Sequence, residues 1–156
     1  ELEKSGIVFF LHPYSNNLLK RTIKTPKMYF FDTGLVSYLT RYSSPEILMN
    51  GAINGAILEN YVVSEIIKTY SNSAKDCLLH YYRDKNSNEI DLIMESDGQL
   101  HPIEIKKSIN PPTQITGAFK LLDKASVPRG TGAIICLRET LGAIDSSTYI
   151  VPVWMI

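Results

Sequence analysis

A chain of 156 residues, 44% hydrophobic and 21% charged, is long enough for one domain with a sizeable core and has the balance of an ordinary globular protein. Its 16 basic and 16 acidic residues cancel, which excludes a globally basic nucleic-acid binder and leaves room only for a local basic footprint. No run of about 18 apolar residues is present to span a membrane, and no charged-then-apolar leader follows Glu1, so a cytoplasmic setting is expected. Cys77 and Cys136 are the only cysteines; both lie in apolar stretches and read as buried free thiols.

In chain order, Ser5 to Leu11 reads as a short strand ending at His12-Pro13, and residues 13–17 have turn chemistry. Lys20, Arg21, Lys24 and Lys27 form a basic stretch with no acid among them. Met28 to Phe31 is a second strand, so residues 1–31 read as a hairpin with a basic connection. Asp32 is placed to cap a short helix through Leu39, and Ser43-Ser44-Pro45 marks a break, making 32–50 a short helix and connector. From Gly51 the pattern predicts a long helix to Tyr70, strands at 77–83, 89–95 and 100–107, a helix at 113–125 and strands at 132–137 and 149–154. Residues 51–156 are therefore expected to form an α/β or α+β domain around a central mixed sheet.

Asp97-Gly98 between two branched apolar runs is a strong two-residue hairpin signal. If these two residues are the whole loop, Ser96 pairs with Gln99 and Asp91 lies opposite Glu104. Facing like charges destabilise a strand pair unless a cation sits between them or one carboxylate keeps its proton. Lys106, two residues beyond Glu104, points to the same face. On the preceding helix, Ala52, Gly55, Ala56, Val62, Val63, Ile66 and Tyr70 fall within roughly 60° of Glu59, which places that acid on an apolar face where it needs a partner. Gly55, one turn earlier, is expected to let the helix approach closely.

Hard oxygen ligands of this kind suit Mg²⁺ or Mn²⁺. Asp91 and Glu104 would hold the ion; Glu59 would orient a water or hold a second ion; Lys106 would orient the attacking water or stabilise developing charge. The competing reading is structural, with Asp91 paired to a lysine or arginine and Glu59 to a polar group. Lys20, Arg21, Lys24 and Lys27 either touch phosphates or form a solvated turn. Arg83 either contacts a phosphate near the ion or pairs with Asp84 or Glu89. The three histidines lack zinc-like spacing, and no P-loop sequence is present.

Gly55-x-x-x-Glu59, Tyr81-Tyr-Arg-Asp84, Glu89-Ile-Asp91, Ile103-Glu-Ile-Lys106 and the upstream Lys27-Met-Tyr-Phe-Phe-Asp-Thr-Gly-Leu35 together resemble a C-terminal domain of unknown function found in prokaryotic AAA-type ATPases. The resemblance covers essentially the whole chain. It implies a restriction-endonuclease-like core of the PD-(D/E)XK nuclease superfamily, with Asp91, Glu104 and Lys106 at its Asp and Glu-x-Lys positions and Glu59 as its helical acid. It also implies that residues 1–31 end a winged-helix-like segment, that 51–156 is the nuclease-like domain, and that an ATPase domain precedes it in the parent chain. Gln114 is followed by Ala118, so the Gln-x-x-x-Tyr element of many repair nucleases is missing. The expected function is metal-dependent hydrolysis of phosphodiester bonds in nucleic acid. The alternative is an inactive module of the same fold that binds nucleic acid or a protein partner for the ATPase.

Overall fold

A computed structural model describes residues 1–15, 23–76 and 78–156. Lys20, Arg21 and Cys77 lie outside the described residues. The N-terminal hairpin forms as expected from β1 (Val8–Leu11) and β2 (Lys27–Phe30), antiparallel with Phe9 opposite Tyr29. Its extension covers the edge of the main sheet. The Tyr14 amide donates to the Tyr81 carbonyl at 2.7 Å, and the Ile23 amide donates to the Arg83 carbonyl at 2.8 Å.

Helix α1 (Thr33–Leu39) starts where Asp32 Oδ1 accepts the Gly34 and Leu35 amides at 2.6 and 3.3 Å. The stretch read as a break opens a second short helix, α2 (Pro45–Asn50): Ser44 Oγ accepts the Ile47 amide at 3.3 Å, and Pro45 sits in the first turn. Helix α3 (Asn54–Asn72) follows.

The main sheet is mixed and six-stranded. Its strands are β3 (Leu78–Arg83), β4 (Glu89–Ser96), β5 (Gln99–Lys106), β6 (Gly132–Cys136), β7 (Gly142–Asp145) and β8 (Thr148–Pro152), in the order β3-β4-β5-β6-β8-β7. β5, β6 and β8 are mutually parallel, and the other pairs are antiparallel. Strand β7 was not anticipated. It is a short strand at the edge, beyond the Asp145–Ser147 turn in which Asp145 Oδ1 accepts the Ser147 amide. Residues 113–124 wind as a 3₁₀ helix rather than the expected α-helix. Gly117 lowers helix propensity, and the Thr116 hydroxyl bonds the Thr113 carbonyl at 2.9 Å. The three-residue period aligns Phe119 with Leu122, both buried against the sheet.

Two apolar layers sandwich the sheet. On one face Val62, Val63 and Ile66 of α3 pack with Leu92, Ile103, Ile105 and Ile135. On the other, Phe119 and Leu122 pack with Ile90, Ile93 and Leu100. The buried part of α3 includes Val62, Val63 and Ile66 as expected, but Gly55 and Ala56 are exposed. A Cβ built on Gly55 meets nothing within 4 Å, so Gly55 is not the close-approach point the sequence suggested. No helix among the described residues is long and apolar enough to cross a membrane.

Candidate functional site

The β4–β5 hairpin turns on Asp97 (φ 50°) and Gly98 (φ 72°), both in the left-handed region that a type I′ turn requires. The register is the expected one: Ser96 pairs with Gln99, and pairing continues to Leu92 opposite Ile103, the step before Asp91 and Glu104. Asp91 and Glu104 are nearly buried, at 8% and 4% exposure. Lys106 Nζ lies between them, 2.9 Å from Asp91 Oδ2 and 2.8 Å from Glu104 Oε2. Asp91 Oδ2 also accepts the Ile105 amide at 2.9 Å.

A β-bulge helps place Asp91. On β3, His80 pairs with Ile93 and Tyr82 with Ile90, so Tyr81 alone faces both Asp91 and Leu92. The extra residue breaks strict alternation. Ile90 and Leu92, two apart, therefore enter opposite core layers.

Burial raises the Glu104 carboxyl to about 8, and the adjacent Asp91 charge pushes the same way against Lys106. Burial works against the Lys106 ammonium, but Glu104 and Asp91 outweigh it and hold its pKa above the ordinary value. Near neutral pH Glu104 therefore keeps its proton, and the Asp91 charge is matched by Lys106. Asp91 and Glu104 fit a hard divalent cation by donor type, and an ion there would displace that proton and part of the Lys106 pairing.

Glu59 makes different contacts. Its Oε1 accepts the Tyr29 hydroxyl at 2.6 Å and Lys27 Nζ at 3.0 Å. Lys27 Nζ also lies 2.8 Å from Glu89 Oε1 and 5.1 Å from the centre of the Tyr81 ring. Burial would lower the Lys27 pKa, yet Glu59 and Glu89 together keep it raised. Burial and then the Glu59 charge push the Tyr29 hydroxyl far above its usual range, so it stays a donor. Lys27, Tyr29 and Glu59 line a groove of about 410 Å³ between β2 and α3. Among the described residues, no three His, Cys, Asp or Glu side chains are grouped to share an ion.

Of the expected basic contacts, Lys24 is exposed and Lys27 is paired. Arg83 Nε is 3.9 Å from Glu89 Oε2, and Asp84 instead accepts the Asn86 and Asn88 amides at 2.8 and 3.0 Å in the turn between β3 and β4. Glu89 was named from the sequence only as a partner for Arg83, and the Tyr29 hydroxyl was not singled out. The signal for Tyr29 was its i, i+2 spacing from Lys27 on a strand, which puts two polar tips on one face.

A family model described as a domain of unknown function (DUF4143) matches residues 54–156, and a second domain of unknown function (DUF8612) matches residues 1–46. Over 117 residues, 75% of the chain, the sequence is 30% identical to the uncharacterized proteins Rv2008c of Mycobacterium tuberculosis and Mb2031c of Mycobacterium bovis. That stretch is 26% of each of those proteins, so the chain spans about a quarter of the length of the relatives it matches. The family match runs from the start of α3 through every strand of the main sheet: this chain belongs to the DUF4143 family.

Proposed function

We propose that the chain is a restriction-endonuclease-like domain that hydrolyses phosphodiester bonds in nucleic acid with Mg²⁺ or Mn²⁺, as the C-terminal part of an ATPase protein. The observation that carries this reading is the Asp91–Lys106–Glu104 cluster at the end of the β4–β5 pairing, where two buried carboxylates share one ammonium. Asp91 and Glu104 would hold the ion, with the Ile105 carbonyl as a further donor. When bound, the ion supplies Lewis-acid polarisation of a phosphoryl oxygen and acidifies a water. Lys106, freed from part of its ion pairing, would orient the attacking water or face the charge that develops on the phosphate. Exposed Lys24, with Lys20, Arg21 and Arg83, would contact flanking phosphates. Glu59, held by Lys27 and Tyr29, would orient a water. The greater length of the mycobacterial relatives leaves room for an ATPase module in the parent chain.

A specific observation favours a second reading. Lys106 and Lys27 each bridge two carboxylates, so the cluster is internally paired, as in a nuclease-fold module that binds nucleic acid or a protein partner without turnover. Incubation of single- and double-stranded DNA and RNA with Mn²⁺ and the protein, beside Glu104→Ala, separates the two. The enzymatic reading expects cleavage that Glu104→Ala abolishes. Mn²⁺ binding with no cleavage of any substrate would move the conclusion to the binding module.

A further inference from the structure

Helices α1 and α2 bury no residue, although both are rich in apolar side chains. Between Thr33 and Leu58 only Arg41 and Glu46 carry charge, in a chain that is 21% charged overall. Tyr38 and Leu39 stand out from α1 at 80% and 59% exposure, and Ile47 is exposed on α2. Helix α1 borders two grooves. One, of about 410 Å³, is lined by Val36 of α1 and includes Met28, Phe30, Ile53 and Ile57. The other, of about 200 Å³, is lined by Thr33 of α1, Leu48 of α2 and again Ile57. Leu39 lies one turn beyond Val36, on the same side of α1. Exposed apolar side chains thus stand beside apolar grooves, as at a protein interface. Depletion of charge is a further mark of interface centres.

We propose that this face is the contact between two copies of the chain related by a twofold axis, with Tyr38, Leu39 and Ile47 of each copy seated in the grooves of the other. A twofold contact sets a patch against itself, so the patch must carry its own complement. This one does, with protruding side chains beside grooves and one charge of each sign. Arg41 and Glu46 are both exposed, and neither forms an ion pair among the described residues. Arg41 of one copy would meet Glu46 of the other, twice per dimer. The segment has no net charge, so self-apposition meets no like-charge barrier, whereas a nucleic acid would find no basic excess here. The larger groove is also lined by Lys27, Tyr29 and Glu59, so the dimer contact would border that network. The inference stands independently of the metal-dependent reading above.

Sedimentation equilibrium of the full chain, with circular dichroism to check folding, tests this. The wild type is dimeric at about 100 μM and dissociates on dilution. Leu39→Asp keeps the fold and shifts the protein to monomer, a loss of about a hundredfold or more in dimer affinity. Arg41→Glu alone weakens the dimer about tenfold, and adding Glu46→Arg restores it to within about threefold of wild type. A wild type that stays monomeric at about 100 μM overturns the inference and leaves the face to a different protein. A dimer that Leu39→Asp leaves intact overturns it too, as does an Arg41→Glu loss that Glu46→Arg fails to repair. The charge-swap pair decides even where Leu39→Asp folds poorly, because both of its positions are exposed.

Discussion

Asp91 takes over a main-chain duty from its own strand: its Oδ2 accepts the Ile105 amide at 2.9 Å, just beyond the last paired residues of β4 and β5. One carboxylate thereby satisfies a buried backbone donor and faces Lys106 at the same distance. Structure and chemistry at this point depend on the same oxygen.

Those two roles are separable by substitution. Asp91→Ala leaves the Ile105 amide and part of the Lys106 charge unpartnered, and a buried unsatisfied donor costs about 1–3 kcal/mol. Asp91→Asn keeps a carbonyl acceptor and loses the charge. The expected outcome is loss of Mn²⁺ binding in both variants, with stability lost in Asp91→Ala and largely kept in Asp91→Asn, read by urea denaturation and calorimetry. Equal stabilities for the two variants would remove the backbone role.

The raised Glu104 carboxyl sets a pH dependence of known sign. Folding lifts its pKa from 4.5 to about 8, chiefly by burial and then by Asp91, against Lys106. The folded state therefore holds a proton that the unfolded chain releases, and this contribution to stability is complete below pH 4.5 and lost as pH rises through about 8. Without metal, the melting temperature of the wild type falls across that window relative to Glu104→Gln. A divalent ion competes with the same proton, so Mn²⁺ affinity rises over the window and binding releases protons, measurable by calorimetry in two buffers of different ionisation enthalpy. Parallel melting curves for wild type and Glu104→Gln would contradict the assignment.

Asn60 is one of the ties between the N-terminal hairpin and the rest of the molecule. Its amide satisfies both the N–H and the C=O of Phe30 from a nearly buried position on α3. Asn60→Ala deletes both bonds, and the expected loss is about 1–3 kcal/mol in denaturant unfolding. Hydrogen exchange at the Phe30 amide quickens at the same time. Unchanged protection there would show that β2 is held by other contacts.

Much of the site was legible because it is local. The Asp97-Gly98 turn sets the β4–β5 register through backbone conformation alone, and that register carries Asp91, Glu104 and Lys106 toward one another. Asp32 was readable as a cap for the same reason, since its partners Gly34 and Leu35 lie within one turn. Ser44 carried a similar capping signal before Pro45, but the proline was read only as a break.

The chain order of residues by itself determined the hairpin, the register of its acids, the mixed αβ character and the placing of Lys106 on the face of two strand carboxylates, because each follows from the alternation of strands and from one tight turn. Tertiary structure decided the partners of Glu59, the bulge beside Asp91 and the switch of residues 113–124 to a 3₁₀ helix. A periodicity can show that Glu59 needs a counter-charge, but the identity of that charge depends on which strand packs against α3. Lys27 and Tyr29 are 32 and 30 residues away in the chain, and only the packing of β2 on α3 brings their polar tips to the carboxylate.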